Sequence, residues 1–196
     1  MTTSTSSPPE ASTESSLTTV TAVGCVLATL GSVVYISLNG MEPREAFVHP
    51  LGIAAGMVTT IGILLLSLGL MRWRTTLPWW AVIASAAGLW VAGAAAWTQS
   101  TVTVAAAVKT DNDLFRDLFF DSPWVLLSMA PKSLLCLVGF LALAISGWRN
   151  RSIPRPAAAV LGVAGVLSIW PPYPPGIILA SLALFLVSRA GMESRT

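Results

Sequence analysis

The chain contains six apolar stretches, each ended by Arg, Pro or a polar loop. They cover residues 17–38, 50–71, 78–97, 123–147, 156–170 and 174–187. The hydrocarbon core of a bilayer is about 30 Å thick, so a helix needs roughly 20 apolar residues to cross it. The first four stretches reach that length and the last two fall short of it. We therefore predict an all-α integral membrane bundle of about six transmembrane helices.

Composition supports this class. Only 10% of the residues are charged and 54% are hydrophobic, whereas soluble domains carry about 25% charged residues. Lipid must cover the remaining apolar surface, which predicts a multi-pass protein of the plasma membrane with the bilayer as its main partner. A net charge of +2 gives no indication of a nucleic-acid partner. The preference for Arg over Lys, together with abundant Ala, Gly and Val, suggests a GC-rich bacterial genome.

Basic residues in the loops predict the orientation, because Lys and Arg accumulate on the cytoplasmic side of membrane proteins. With the N-terminus inside, seven arginines lie in inner segments: Arg72, Arg74, Arg149, Arg151, Arg155, Arg189 and Arg195. Three basic residues lie in outer loops: Arg44, Lys109 and Arg116. Both termini are therefore predicted to be cytoplasmic.

The domain organisation follows from these stretches. Residues 1–16 are mostly Ser, Thr, Pro and Glu and predict a disordered cytoplasmic tail, because they bury too little apolar surface to offset the entropy of ordering. They also lack the basic region that begins a secretory signal, so the first helix is predicted to be retained. Residues 17–190 form the transmembrane domain, and residues 191–196 a cytoplasmic C-terminal tail.

The longest connection, residues 98–122, is predicted to be an extracytoplasmic loop containing a short amphipathic helix. In a helix, Leu114 and Leu118 share a face with Phe115 and Phe119, and charged residues occupy the opposite face. Such a helix is expected to lie flat on the outer surface.

Small residues indicate where helices approach each other closely, since lipid provides no hydrophobic drive for helix association. Gly52 and Gly56 form a GxxxG pair. One interpretation is an interface with a membrane-protein partner or a second copy of the chain, and the other is packing within one bundle.

A weak internal repeat separates matching residues by 77 positions. Its first copy contains Gly62, Leu64, Leu66, Arg72, Arg74, Ala81 and Gly88. The second contains Gly139, Leu141, Leu143, Arg149, Arg151, Ala158 and Gly165. Duplication of a helical hairpin would produce this pattern, and so would the positive-inside rule acting on two unrelated hairpins.

Lys132 is the only charged residue within an apolar stretch. It lies about 13 Å along a helix beginning at Pro123, at a depth where a charge is costly and merits a functional hypothesis. It can line a polar cavity, paired with an outer carboxylate (Glu42, Glu45 or Asp121). Alternatively, its long stem reaches the outer interface, or the crossing begins at Pro131 and leaves Lys132 at the surface. The absence of carboxylates within the apolar stretches favours a stem that reaches the interface.

His49 is the only histidine and precedes Pro50, near Glu42 and Glu45. One His with two carboxylates can hold Zn²⁺ or act as a general base, but a single exposed His is expected to do neither. No sequence motif of a nucleotide, metal or hydrolase site is present. We therefore predict no catalytic residues, metal or cofactor.

From residue 50 onward the layout resembles the uncharacterised small multi-pass membrane proteins of high-GC, actinobacterial-type bacteria. The resemblance lies in the Arg-x-Arg turns, the Pro-led Ala- and Gly-rich segment 153–170, and the last apolar helix running into Ser188 and Arg189. It implies no activity and no site residues.

Three classes of function follow. A non-catalytic accessory or regulatory membrane component fits the lack of catalytic groups best. The first alternative is a small-solute or ion permeation protein that uses Lys132 as its polar element. The second is a membrane enzyme with an outer-face site near His49.

Overall fold

A computed structural model of the protein describes residues 9–169 and 174–193. The described residues are 86% helical and include no strand, which confirms the all-α prediction. Four described helical segments are long and apolar enough to cross a membrane: Ser16–Ser37, Pro50–Trp73, Trp79–Lys109 and Leu127–Arg149. Two apolar helical segments are shorter, Arg155–Leu167 and Pro174–Ser188.

The described part of the chain contains nine α-helices. They are α1 Pro9–Ser37, α2 Pro43–Val48, α3 Pro50–Leu70, α4 Trp79–Thr98, α5 Val104–Lys109, α6 Asn112–Phe119, α7 Pro123–Arg149, α8 Arg155–Leu167 and α9 Pro174–Glu193. A 3₁₀ turn, Met71–Trp73, follows α3, and a π turn, Gln99–Thr103, joins α4 to α5. Proline stands in the first turn of α2, α3, α7 and α8, where its missing N–H costs nothing.

Six of these helices (α1, α3, α4, α7, α8 and α9) pack in a ring. Each contacts the next one along the chain, and α9 returns to contact α1. Buried apolar side chains from all six form a continuous core, for example Ile63, Leu89, Phe140, Leu161 and Leu184. The short α8 and α9 therefore complete the ring between α7 and α1.

The two ends of this bundle differ in character. One end carries the short helices α2, α5 and α6, and we call it the capped end. The other carries the α3–α4 and α7–α8 turns with Arg72, Arg74, Arg149 and Arg151, and we call it the arginine end.

Small residues bring helix backbones together at two contacts. A Cβ atom added to Gly62 of α3 would lie 2.7 Å from the Cα atom of Ala28 in α1. One added to Gly88 of α4 would lie 2.8 Å from the backbone nitrogen of Cys136 in α7. Only glycine permits these approaches, and close van der Waals packing is the main force that holds helices together in lipid.

Two predicted boundaries differ from the structure. Helix α1 begins at Pro9, within the segment expected to be a disordered tail, because extending an existing helix is far easier than nucleating one. Residues 1–8 and 194–196 lie outside the described part. The loop predicted from residue 98 is helical up to Lys109, because alanines 105–107 favour helix.

Residues that match in the 77-residue repeat lie at equivalent positions in the two pairs of helices. Leu70, the end of α3, corresponds to Gly147 near the end of α7, and Trp79, the start of α4, corresponds to Pro156 in the first turn of α8. Buried positions match too, as with Leu66 and Leu143. Both a duplicated hairpin and two hairpins under the same topological rule predict this correspondence.

Candidate functional site

A small cavity lies toward the capped end, enclosed by α1, α3, α4 and α9. Its volume is about 30 Å³, enough for one or two water molecules. Five polar side chains line it: Ser32, Tyr35, Thr59, Gln99 and Ser100. The remaining wall is largely apolar and includes Phe47, Ala92, Ala96 and Ile177. The exposed wall is therefore mostly apolar, and a few polar side chains interrupt it.

The π turn supplies part of the polar wall. The hydroxyl of Ser100 donates to the carbonyl of Ala96 at 3.0 Å, and that of Thr101 donates to Trp97 at 2.8 Å. Such bonds between a hydroxyl and the carbonyl four residues earlier loosen the helix, and π turns are frequent at functional sites. In this turn, Gln99 and Ser100 line the cavity.

The GxxxG pair contacts other elements of the same chain. A Cβ atom on Gly56 would overlap the Ser100 hydroxyl, and one on Gly52 would overlap the carbonyl of Ala46 in α2. Both glycines line the cavity. They therefore allow the π turn and α2 to approach α3, as the interpretation of packing within one bundle expects.

Lys132 is buried inside the bundle, with only 2% of its surface exposed. Helix α7 begins at Pro123 and continues through Pro131. Helix α7 turns the Lys132 side chain into the bundle, so the expectation of a lysine exposed at the protein surface is wrong.

The register of the α4–α7 contact places Lys132 level with one residue of the cavity wall. Gly88 faces Cys136, and Ser85 faces Gly139 one turn further toward the arginine end. One turn in the opposite direction brings Lys132 level with Ala92, because the two helices are antiparallel. Ala92 lines the cavity. Lys132 lies on the face of α7 that contains Cys136, one helix turn away.

An aromatic cap covers this end of the bundle. Phe47 of α2, Phe115 of α6 and Ala107 of α5 are buried together, with Tyr35 and Phe119 packed against them. The rings of Phe47 and Phe115 lie 5.5 Å apart. The Nε atom of Arg44 donates to the carbonyl of Ala107 at 2.7 Å, which ties α2 to α5. Since Phe47 also lines the cavity, the cap forms part of its wall.

Helix α6 lies where the sequence predicts an amphipathic helix, but its apolar face is divided. Phe115 is buried, whereas Leu114 and Leu118 are both 47% exposed. The carboxylate of Asp111 accepts the backbone N–H of Leu114 at 2.8 Å and caps the helix. The phenylalanines therefore hold α6 on the protein, and the leucines face outward.

The structure does not bring the predicted carboxylates to Lys132. Glu42 and Glu45 are exposed. Asp121 lies 3.8 Å from Arg116 at the surface. Exposed carboxylates at the capped end and a lysine buried in the bundle are thus separate features.

His49 acts as a helix cap. Its Nδ1 atom accepts the backbone N–H of Leu51 at 3.2 Å, at the start of α3. Among the residues that the structure describes, no three His, Cys, Asp or Glu side chains are placed to hold a metal ion.

Sequence reasoning overlooked the cavity-lining residues. Ser32 and Thr59 are polar residues within apolar stretches, and they become significant only when α1 and α3 meet. The polar run from Thr98 to Thr103 was a usable signal, because it interrupts a helix that is otherwise rich in Ala and Val.

No protein family, curated protein or solved structure shows significant similarity to the chain. The chemistry of the site therefore carries the functional argument. The cavity wall combines hydroxyls and one amide with a mostly apolar surface, and hydroxyl and amide groups can bind a small polar solute through hydrogen bonds.

Proposed function

We propose that the protein is a non-catalytic plasma-membrane protein that binds, and allows the passage of, a small polar or anionic solute at its capped end. The observation that carries the proposal is the burial of Lys132, one helix turn from the α4 contact and level with the cavity wall. An ionisable residue inside a membrane bundle is costly to maintain. A buried lysine cation attracts negative charge, so an anion is the favoured class of solute.

The cap is the element that must move in this proposal. A cavity of about 30 Å³ holds water, and a larger solute needs more room. The cap consists of α2, α5 and α6, each of eight residues or fewer. Short elements with few long-range contacts open at low free energy. We therefore assign solute entry to movement of the cap.

The topology that accompanies this function is six crossings with both termini in the cytoplasm. The clustering of arginines at one end supports the orientation. The ring supports the crossing number, because α8 and α9 lie between α7 and α1, both of which contain segments long enough to span. The cavity then faces the outside of the cell.

Anion flux into liposomes tests the function. Purified protein is reconstituted into liposomes that contain a dye whose fluorescence is quenched by halide. Iodide is then added outside the liposomes. The wild-type protein is expected to quench the dye faster than empty liposomes. Lys132→Met should slow the quenching on the order of tenfold, because an interaction with a charged group is worth about 1.5–3 kcal/mol.

Lys109→Met is the matched control. Lys109 is the only other lysine and is exposed at the capped end, so its loss should leave flux unchanged. Size-exclusion profiles show whether each variant is folded. Equal flux from wild-type and empty liposomes would contradict passage, and equal slowing by both substitutions would contradict a specific role for Lys132.

An accessory role remains a second candidate, and Trp90 favours it. Tryptophan prefers the ends of membrane helices, yet Trp90 lies in the middle of α4 and is 62% exposed. Ile83 and Trp97 are also exposed and lie seven residues to either side, a spacing suited to packing against another helix. A stoichiometric partner that co-purifies with the wild type and is lost with Trp90→Leu would support this role.

A further inference from the structure

A second groove lies at the arginine end, in the turn between α7 and α8. It has a volume of about 410 Å³ and is lined by Trp148, Arg151, Ile153, Pro154 and Arg155. This volume falls within the usual range for small-molecule sites. One side of the groove is apolar, and the other carries two guanidinium groups.

No acidic residue lies close in sequence to the cationic side. The sequence contains no Asp or Glu between Asp121 and Glu193. Within the described part of the chain, neither Arg151 nor Arg155 belongs to an ion pair. The guanidinium carbon of Arg155 lies 5.8 Å from the centre of the Trp148 ring, which positions it beside the groove through a cation–π contact.

Arg151 adopts a backbone conformation that glycine would adopt more readily. Its φ angle is 54°, and it is the only described non-glycine residue with positive φ. The backbone N–H of Ile153 donates to the carbonyl of Gly147 at 3.3 Å, and the Ile153 side chain packs on Gly147. This is the geometry of a helix C-terminus closed by a left-handed residue. Strained residues of this kind concentrate at functional sites.

We propose that this groove binds the phosphate headgroup of an anionic phospholipid. Arg151 and Arg155 would hold the phosphate through charge-assisted hydrogen bonds, and Trp148 and Pro154 would contact the start of an acyl chain. Basic pockets between membrane helices on the cytoplasmic side bind anionic headgroups in this way. This site is separate from the solute cavity, and its assignment to the inner leaflet rests on the proposed topology.

Native mass spectrometry in a neutral detergent tests the proposal without depending on orientation. Phosphatidylglycerol is titrated against phosphatidylcholine with the same acyl chains. The wild-type protein is expected to retain phosphatidylglycerol preferentially. Arg151→Gly and Arg155→Gln should each weaken that binding about tenfold, because each removes a charge-assisted contact. Arg151→Gly is especially informative, since glycine accepts the backbone conformation and the fold should persist.

Arg74→Gln is the control, because Arg74 is an exposed arginine in the α3–α4 turn. It should retain wild-type affinity. Equal retention of both lipids would overturn the proposal, as would equal weakening by Arg74→Gln. Displacement of the lipid by an equimolar amount of inorganic phosphate would assign the groove to free phosphate instead.

Discussion

At the scale of single residues, the buried stem of Lys132 contributes packing as well as charge. Lys132→Ala removes a side chain that is almost fully buried and should lower the free energy of unfolding by about 2–4 kcal/mol, as truncation of a buried aliphatic chain does. Lys132→Met preserves the volume and should cost less. Thermal unfolding in detergent measures the difference, and equal melting temperatures for both variants would show that the stem is not packed.

Two glycines give opposite predictions for the same substitution. Gly62→Ala should destabilise the protein by about 1–3 kcal/mol, because the added Cβ atom would lie 2.7 Å from the Cα atom of Ala28. Gly162→Ala should be neutral or stabilise by up to about 1 kcal/mol. Its Cβ atom would lie 3.7 Å from that of Ala144, and alanine is the better helix former.

Denaturation of the two variants in the same detergent compares them directly. A gain in stability from Gly62→Ala would mean that α1 and α3 are further apart than the structure places them. Neither glycine was distinguishable from sequence alone, because both lie in apolar stretches and only the neighbouring helix decides the outcome.

At the scale of elements, the cap depends on its buried aromatic rings. Phe115→Ala should reduce the stability of the cap by about 3–5 kcal/mol, the usual effect of losing a buried phenylalanine. Leu114→Ala, one position earlier on the exposed face, should have a small effect. Hydrogen exchange in α5 and α6 measures local opening. Equal protection in both variants would contradict the packing of Phe115 under α6.

The last hairpin is the least constrained part of the topology. Reporters fused after Arg74, after Arg151 and at the C-terminus are expected to read cytoplasmic, and one near Asp111 external. A reporter inserted at Tyr173, outside the described residues, is decisive. Six full crossings place it outside. A hairpin that enters the membrane without crossing would leave it inside, while the C-terminus stays cytoplasmic in either case.

The helices themselves were largely predictable. Apolar length located every bundle helix, and proline marked the starts of several, because both signals act locally along the chain. The helical continuation of α4 through the π turn and α5 to Lys109 was missed, since polar residues 98–103 suggested a loop. In the structure three of their hydroxyls bond to carbonyls of the preceding turn, and the chain continues as a π turn.

At the scale of the whole molecule, closure of the ring could not be read from the sequence. The contact between α9 and α1 joins the two ends of the chain, and its partners are set by shape rather than by a local pattern. The cavity depends on this closure, because its wall combines α1, α3, α4 and α9. For the same reason, the burial of Lys132 could not be predicted. The absence of carboxylates within the apolar stretches favoured an exposed lysine, whereas the structure buries it.

The central claim is that water and small solutes reach the polar cavity from the outside of the cell. Labelling of Ser100→Cys in intact cells by a membrane-impermeant maleimide tests it most directly, with Leu161→Cys in the bundle core as the control. The native Cys25 and Cys136 are buried and set the background. We expect Ser100→Cys to be labelled well above Leu161→Cys. Labelling of Ser100→Cys no faster than the control would contradict an outward-facing polar cavity.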